Sequence, residues 1–195
     1  MASTETENLL ETRKVPAPQF DDLVRSVKTG LTWPGTLEKN REQRLDLYRL
    51  AKNDVSLQRS LLSACRLDPH VFFGLFYWTY NPWKHEKLVP FVPFRHQREA
   101  IGEIVAAISG QHDLLIEKCR KMGMSWLVLG VFLWRWLFFE GEAFLGVSRK
   151  EEYVDSASRA SLFWKWDFAV GHLPMWMRPK LGPKDKTHMH RRNPQ

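Results

Sequence analysis

Hydrophobic positions fall into blocks along the chain, and the spacing inside each block predicts its element. The first 36 residues hold no such block. They are polar, with Pro16, Pro18, Gly30, Pro34 and Gly35 scattered through them, and read as a flexible leader with a short helix over Asp21–Lys28. From Leu37 to Arg66 the pattern is helical. Leu45, Leu50, Val55, Leu57, Leu61 and Leu62 recur among charges, with a break near Asn53-Asp54. Asp68-Pro69 resets the chain, because Asp caps a helix and Pro suits its first turn. His70 to Tyr80 is dense in aromatics and ends at the turn signal Asn81-Pro82.

Leu88 to Phe94 is predicted extended, since Pro90 and Pro93 each disfavour helix in the residue before them. Arg98–Ser109 carries Ile101, Ile104, Val105 and Ile108 at helical spacing, with Gly110 as a C-cap. An apolar run over 113–117 predicts a strand. A short cationic stretch follows, then an apolar helix from Met124 to Phe139 closed by Gly141. Ala143–Ser148 predicts a second buried strand, and Glu151–Phe168 a helix. Beyond Gly171 the chain is Pro-rich and basic, without periodicity. Four regions result: a leader over 1–36, a helical subdomain over 37–85, a core over 86–170, and a basic tail over 171–195 that reads as a truncated continuation of that core.

Composition fits one globular domain. The chain has 195 residues, 44% hydrophobic and 26% charged. Nine Trp and twelve Phe require a bulky core or surfaces that bury against something else. A net charge of +7 favours polyanionic partners. Most of it lies between Arg178 and Arg192, where six Lys or Arg face one Asp. Cys65 and Cys119 alone give neither a disulfide framework nor a zinc pattern, so a reducing compartment is expected. The polar, acidic N-terminus is no signal peptide, and the apolar block at 124–139 falls short of the ~20 residues that span a bilayer.

The candidate chemistry lies between the first predicted strand and the long apolar helix, in Lys118-Cys119-Arg120-Lys121-Met122-Gly123-Met124-Ser125-Trp126. Strand, loop, helix is the order a phosphate-binding loop needs. Gly123 and Ser125 hold the second-Gly and hydroxyl positions of that motif. Met124 stands where its Lys belongs, and Lys118 where its first Gly belongs. Gly123 allows close approach of the backbone to a phosphate. The N–H groups of Met124, Ser125 and Trp126 open the helix, where the dipole favours an anion. The Ser125 hydroxyl is placed to ligate Mg²⁺, Lys118 to replace the missing lysine from the other side of the loop, and Arg120 and Lys121 to add positive charge. The bland alternative is a basic turn between two elements.

Taken in order, these stretches resemble the N-terminal ATPase region of the large terminase subunit of tailed bacteriophages. Some loops of that family open on their lysine, as Lys118 does here, with Gly five residues on and Ser seven on. Arg120 matches the arginine that the family uses as a phosphate contact or arginine finger. Phe76–Pro82 and Phe91–Gln97 resemble the segment that leads to an adenine-binding glutamine, which makes Gln97 the match. Phe144–Arg149 and Tyr153–Ser161 resemble the strand and helix after the first crossover. The resemblance implies an α/β fold, an incomplete P-loop NTPase with a parallel sheet flanked by helices, preceded by the helical segment. It implies ATP and Mg²⁺ as ligands, held by Gln97, Lys118, Arg120, Lys121, Met122, Gly123, Met124, Ser125 and Trp126. Its partners would be double-stranded phage DNA, a portal protein and a small terminase subunit, with a homo-oligomeric ring in the full-length protein, no membrane, and a host-cytoplasmic location.

One departure bounds this reading. No apolar strand ending in Asp-Glu follows Ser125, and Asp155, Asp167 and Asp185 lack such a strand before them. The family's nuclease domain is also missing. The sequence therefore reads as an N-terminal piece, a truncated product or a fragment, that binds nucleotide without efficient hydrolysis. The alternatives are a helicase-like ATPase fragment and a non-enzymatic basic module for DNA binding or assembly. His188 and His190 with His172 form a weaker metal candidate, Cys119 beside its cations a weaker thiol. The aromatics over 72–83 are candidates for base stacking, with burial the expected fate.

Overall fold

The computed structural model describes Asp22, Val24, Arg25 and residues 36–194. The rest of the leader lies outside the described residues; Asp22, Val24 and Arg25, inside the helix expected over 21–28, are helical.

Helix α1, Leu37–Ala51, starts at Thr36, whose side chain accepts from the Lys39 N–H. Its inward stripe is Asn40, Arg44, Leu47 and Ala51. The break at Asn53-Asp54 is real: Asp54 caps α2, Val55–Leu67, by accepting from the Leu57 N–H at 2.9 Å. Asp68 likewise caps α3, Pro69–Leu75, through the His70 N–H at 2.8 Å, and Val71 to Leu75 are all buried. Strand β1, Trp78–Tyr80, pairs antiparallel with β2, Leu88–Pro90, across the Asn81-Pro82 turn. Helix α4 covers Arg95–Gly110, and its left-handed cap is Gln111 rather than Gly110. Helix α5 covers Met124–Phe138.

The fully buried Arg44 ties this half together. Its guanidinium donates to Asn40 Oδ1 at 2.7 Å and to the carbonyls of Tyr77 at 2.6 Å, Phe73 at 3.0 Å and Phe91 at 3.1 Å. Those carbonyls sit where α3 gives way to β1 and where β2 ends. Without Arg44 the Phe73 and Phe91 carbonyls would lose their donor, whereas that of Tyr77 also accepts from the Phe91 N–H at 3.0 Å. Burial pulls the Arg44 pKa down from 12.5 to about 10, which leaves it charged at neutral pH.

Helix α5 is the centre of the core, burying Leu127, Gly130, Val131, Leu133, Trp134 and Trp136. It meets α3 at Gly130, where an added Cβ would lie 2.5 Å from Phe73 Cζ. Two hydrogen bonds of 2.6 Å tie α5 to its neighbours: Tyr77 Oη, just beyond α3, donates to the Trp126 carbonyl, and Trp134 Nε1 donates to the carbonyl of Cys65 in α2. The aromatic wealth of the composition is spent here, in edge-to-face pairs such as Phe73–Tyr77 and Trp136–Trp166.

The expected parallel α/β sheet is not formed. Residues 112–119 and 142–148 run without regular structure, and beyond the His112 N–H, which closes α4 on the Ala107 carbonyl at 3.2 Å, no backbone hydrogen bond joins either to another part of the described chain. Leu115 is 95% exposed, Leu145 85% and Val147 78%. Among the described residues the sheets are two antiparallel pairs, β1–β2 and a C-terminal one. An apolar run predicts a strand only if another strand completes its hydrogen bonds, and these two runs do not pair. The architecture is therefore mainly helical, and the incomplete P-loop NTPase fold is corrected.

The predicted helix over 151–168 is also split. Helix α6, Glu151–Val154, stops before a serine-rich turn, and α7, Leu162–Gly171, restarts from Ser161, whose hydroxyl accepts from the Trp164 N–H at 3.2 Å. Ser156 bonds back to the Glu152 carbonyl and also accepts from the Ser158 N–H, local bonds that compete with the helical ladder.

The basic stretch after α7 folds back. Leu173 and Met177 are buried, and Trp176 meets Phe76 edge-on. Strands β3, Lys186–Thr187, and β4, His190–Arg191, form a short hairpin over α7. Arg191 grips Asp167 with two bonds of 2.9 Å and lies over the Phe163 ring. Lys186 reaches the same carboxylate at 2.9 Å. No helix among the described residues is long and apolar enough to cross a membrane.

Candidate phosphate-binding loop

The loop that the sequence singles out lies between the unpaired run 112–119 and α5. Lys121 takes φ 64° and Gly123 φ 74°, so two left-handed residues flank Met122 and turn the chain into the helix. A non-glycine residue in that region is uncommon, and here it makes the turn tight. Gly123 is the N-cap and offers no side-chain acceptor. The first-turn N–H groups of Met124, Ser125 and Trp126 thus have no carbonyl inside the helix and no capping side chain; Leu127 is the first to bond back, to the Gly123 carbonyl at 3.0 Å. Over fifteen residues the peptide dipoles put partial positive charge at this end.

The predicted residues divide by exposure. Lys118, Arg120, Lys121, Met122 and Ser125 are exposed, and Gly123, Met124 and Trp126 half-buried. The Trp126 ring turns inward onto Phe168, so its backbone N–H is its contribution to the loop. Among the described residues, none of Lys118, Arg120 and Lys121 is in an ion pair, which leaves three cations in four positions available to an anion. Lys121 Nζ lies 5.5 Å from the centre of the Trp83 ring. The Ser125 hydroxyl, at the helix start, would be the Mg²⁺ ligand. Beside it opens a cavity of about 1310 Å³ along the outer face of α5, lined by Met124, Ser125, Val128, Phe132, Phe144 and Trp166 among others.

Gln97 is brought to this loop from another element. It is the third residue of α4, and its Nε2 donates to the Met122 carbonyl at 3.0 Å. Its Oε1 accepts from the Phe94 N–H, also at 3.0 Å. The partners fix which end is which, because an amide N–H must donate and a carbonyl must accept. The sequence placed Gln97 at the site; its bond to the loop carbonyl is what the structure adds.

Comparison with family models, with curated proteins and with solved structures gives no match. The resemblance to terminase large subunits therefore rests on the residues quoted for it.

The carboxylates considered from sequence all face the C-terminal hairpin or the turn before it. Asp155 accepts from the Met189 N–H at 2.7 Å, Asp167 holds Arg191 and Lys186, and Asp185 accepts from the Gly182 N–H at 2.9 Å. Burial raises the Asp167 carboxyl, but the bonds from Arg191 and Lys186 outweigh it and hold the group below the usual carboxylate range. His188 is engaged by Glu151 at 2.9 Å, and among the described residues no His, Cys, Asp or Glu cluster suits a metal ion. Cys119 is exposed beside the loop cations. Of the aromatics over 72–83, Phe72, Phe73, Phe76, Tyr77 and Trp78 are buried, while Trp83 stays 83% exposed. Sequence reasoning grouped Trp83 with the others. Its signal was position: it follows the Asn81-Pro82 turn and precedes Lys84-His85-Glu86-Lys87, a polar stretch that no core can take in.

Proposed function

We propose that residues 118–126 bind the triphosphate of ATP-Mg²⁺, and that the chain is the nucleotide-gripping region of a DNA-packaging motor of the large-terminase kind. One observation carries the binding reading: an uncapped helix N-terminus, entered through a left-handed Gly123, with three cations in the four residues Lys118–Lys121 that are in no ion pair among the described residues. Lys118 and Arg120 contact the phosphates, the N–H groups of Met124, Ser125 and Trp126 cradle them, and Ser125 holds Mg²⁺. Arg120 is the candidate arginine finger. The packaging reading is supported by the order of motifs around the loop. Double-stranded DNA, a portal protein, a small terminase subunit and ring assembly follow from it, as does a host-cytoplasmic location. The strand expected before the loop is not formed, so the binding reading is supported by the loop and the helix start alone.

Hydrolysis asks for more than grip. A carboxylate must position water, and Asp155, Asp167 and Asp185 are each held elsewhere. The proposal is therefore binding with little turnover by this chain. Calorimetric titration with Mg-ATP tests it. Wild type should give a saturable isotherm, and Lys118→Ala should weaken it about tenfold or more, as expected for loss of a charge-assisted bond. A folded wild type with no heat of binding removes the assignment. In that event the net charge of +7 favours the basic DNA-binding module, which predicts salt-sensitive duplex binding unaffected by ATP.

A further inference from the structure

We propose that Gln97 positions the phosphate loop and does not read the base, so that the site accepts a purine nucleoside triphosphate without choosing between adenine and guanine. The inference rests on the loop being a triphosphate site.

Reading an adenine edge takes one amide donor and one amide acceptor aimed at the base. Both ends of Gln97 are already committed: Oε1 to the Phe94 N–H at the start of α4, and Nε2 to the Met122 carbonyl. The residue is 6% exposed, too little to present a bare edge to a ligand. Turning it outward would free a helix-start N–H and a loop carbonyl at once, with nothing to replace either bond. The loop also packs on the amide itself, since a Cβ on Gly123 would lie 3.3 Å from Gln97 Nε2. Gln97 therefore sets where Met122 and Gly123 sit, and through them where the first-turn N–H groups point.

What remains for the base is a ring. Trp83 projects from the β1–β2 turn, its backbone N–H donating to Asn81 Oδ1 at 3.0 Å, and its indole lies beside Lys121 at the rim of the loop. Stacking uses the π-face that every base has, so it adds affinity without discrimination.

Titration of the full chain with sodium tripolyphosphate, Mg-ATP and Mg-GTP tests this. Wild type should bind the two nucleotides within about threefold of each other, as stacking alone predicts. Gln97→Met should weaken tripolyphosphate, Mg-ATP and Mg-GTP by one common factor, about tenfold, because a loop bond is lost rather than a base contact. Trp83→Ala, at an exposed position, should weaken both nucleotides and leave tripolyphosphate unchanged. A wild type preferring Mg-ATP by about 30-fold or more, within the range of a bidentate base-edge contact, overturns the inference. So does a Gln97→Met chain, folded by circular dichroism, that loses Mg-ATP alone. A wild type that binds none of the three probes removes the triphosphate site itself, a separate outcome.

Discussion

Arg44 carries more of this fold than any other charged side chain. Its three carbonyl partners come from α3, its junction with β1, and the end of β2, so its planar fork joins segments far apart in sequence. Arg44→Met should lower unfolding stability by about 3 kcal/mol or more, since the Phe73 and Phe91 carbonyls lose their donor and that of Tyr77 loses one of two. Arg44→Lys should lose most of the same amount, because one ammonium cannot span the carbonyls that a guanidinium does. Urea unfolding of both variants checks this; full rescue by lysine would mean that charge alone matters. The position was hard to find from sequence. Arg44 looks like any charge on an amphipathic helix, and its burial emerges only when Asn40, Arg44, Leu47 and Ala51 are seen on one stripe. Gln97 was found by position in a motif, but its two internal bonds depend on where α5 begins, which spacing does not give.

At the scale of elements, local signals fared well and pairing did not. The caps at Asp54, Asp68 and Ser161 are formed by residues whose short side chains accept from the first turn. Helix α5 matches its apolar block to within a residue of its end. The runs 113–117 and 143–148 carry apolar residues in strand-like stretches, yet a strand is a relation between two segments, and neither finds its partner here. The broken helix over 151–168 failed for a different reason, serine hydroxyls that bond locally. The C-terminal hairpin had no periodic signal because its fold is set by charge: Arg191 and Lys186 on Asp167. That contact has a pH signature. The Asp167 carboxyl is depressed in the folded chain, so its contribution is complete above the ordinary aspartate pKa, about 4, and fades as pH falls through the lower folded value. Amide protection factors across 186–191, which correct for the pH dependence of intrinsic exchange, should be high at pH 6 and fall below about pH 4 before those of the α5 core do. Protection at 186–191 that lasts until the core melts would contradict the ion-pair account.

For the described residues as a whole, a helical, aromatic-rich core presents the cationic start of α5 to solvent, with Gln97 behind the loop and Trp83 at its rim. The outer flank is apolar and unpaired, and of the C-terminal basic residues Lys186 and Arg191 are held by Asp167 and Arg178 by the Gly171 and Leu173 carbonyls. The loop, rather than the more basic C-terminal end, is the proposed anion site because its cations stand before an uncapped helix start: among the described residues Lys118, Arg120 and Lys121 are in no ion pair and precede the first-turn N–H groups of α5. Amide chemical shifts of the ¹⁵N-labelled chain during addition of Mg-ATP test that claim most directly. The account predicts saturable shifts at the N–H groups of Gly123, Met124, Ser125 and Trp126, with the 186–191 amides unmoved. Shifts concentrated in the hairpin, or none at the start of α5, would contradict it.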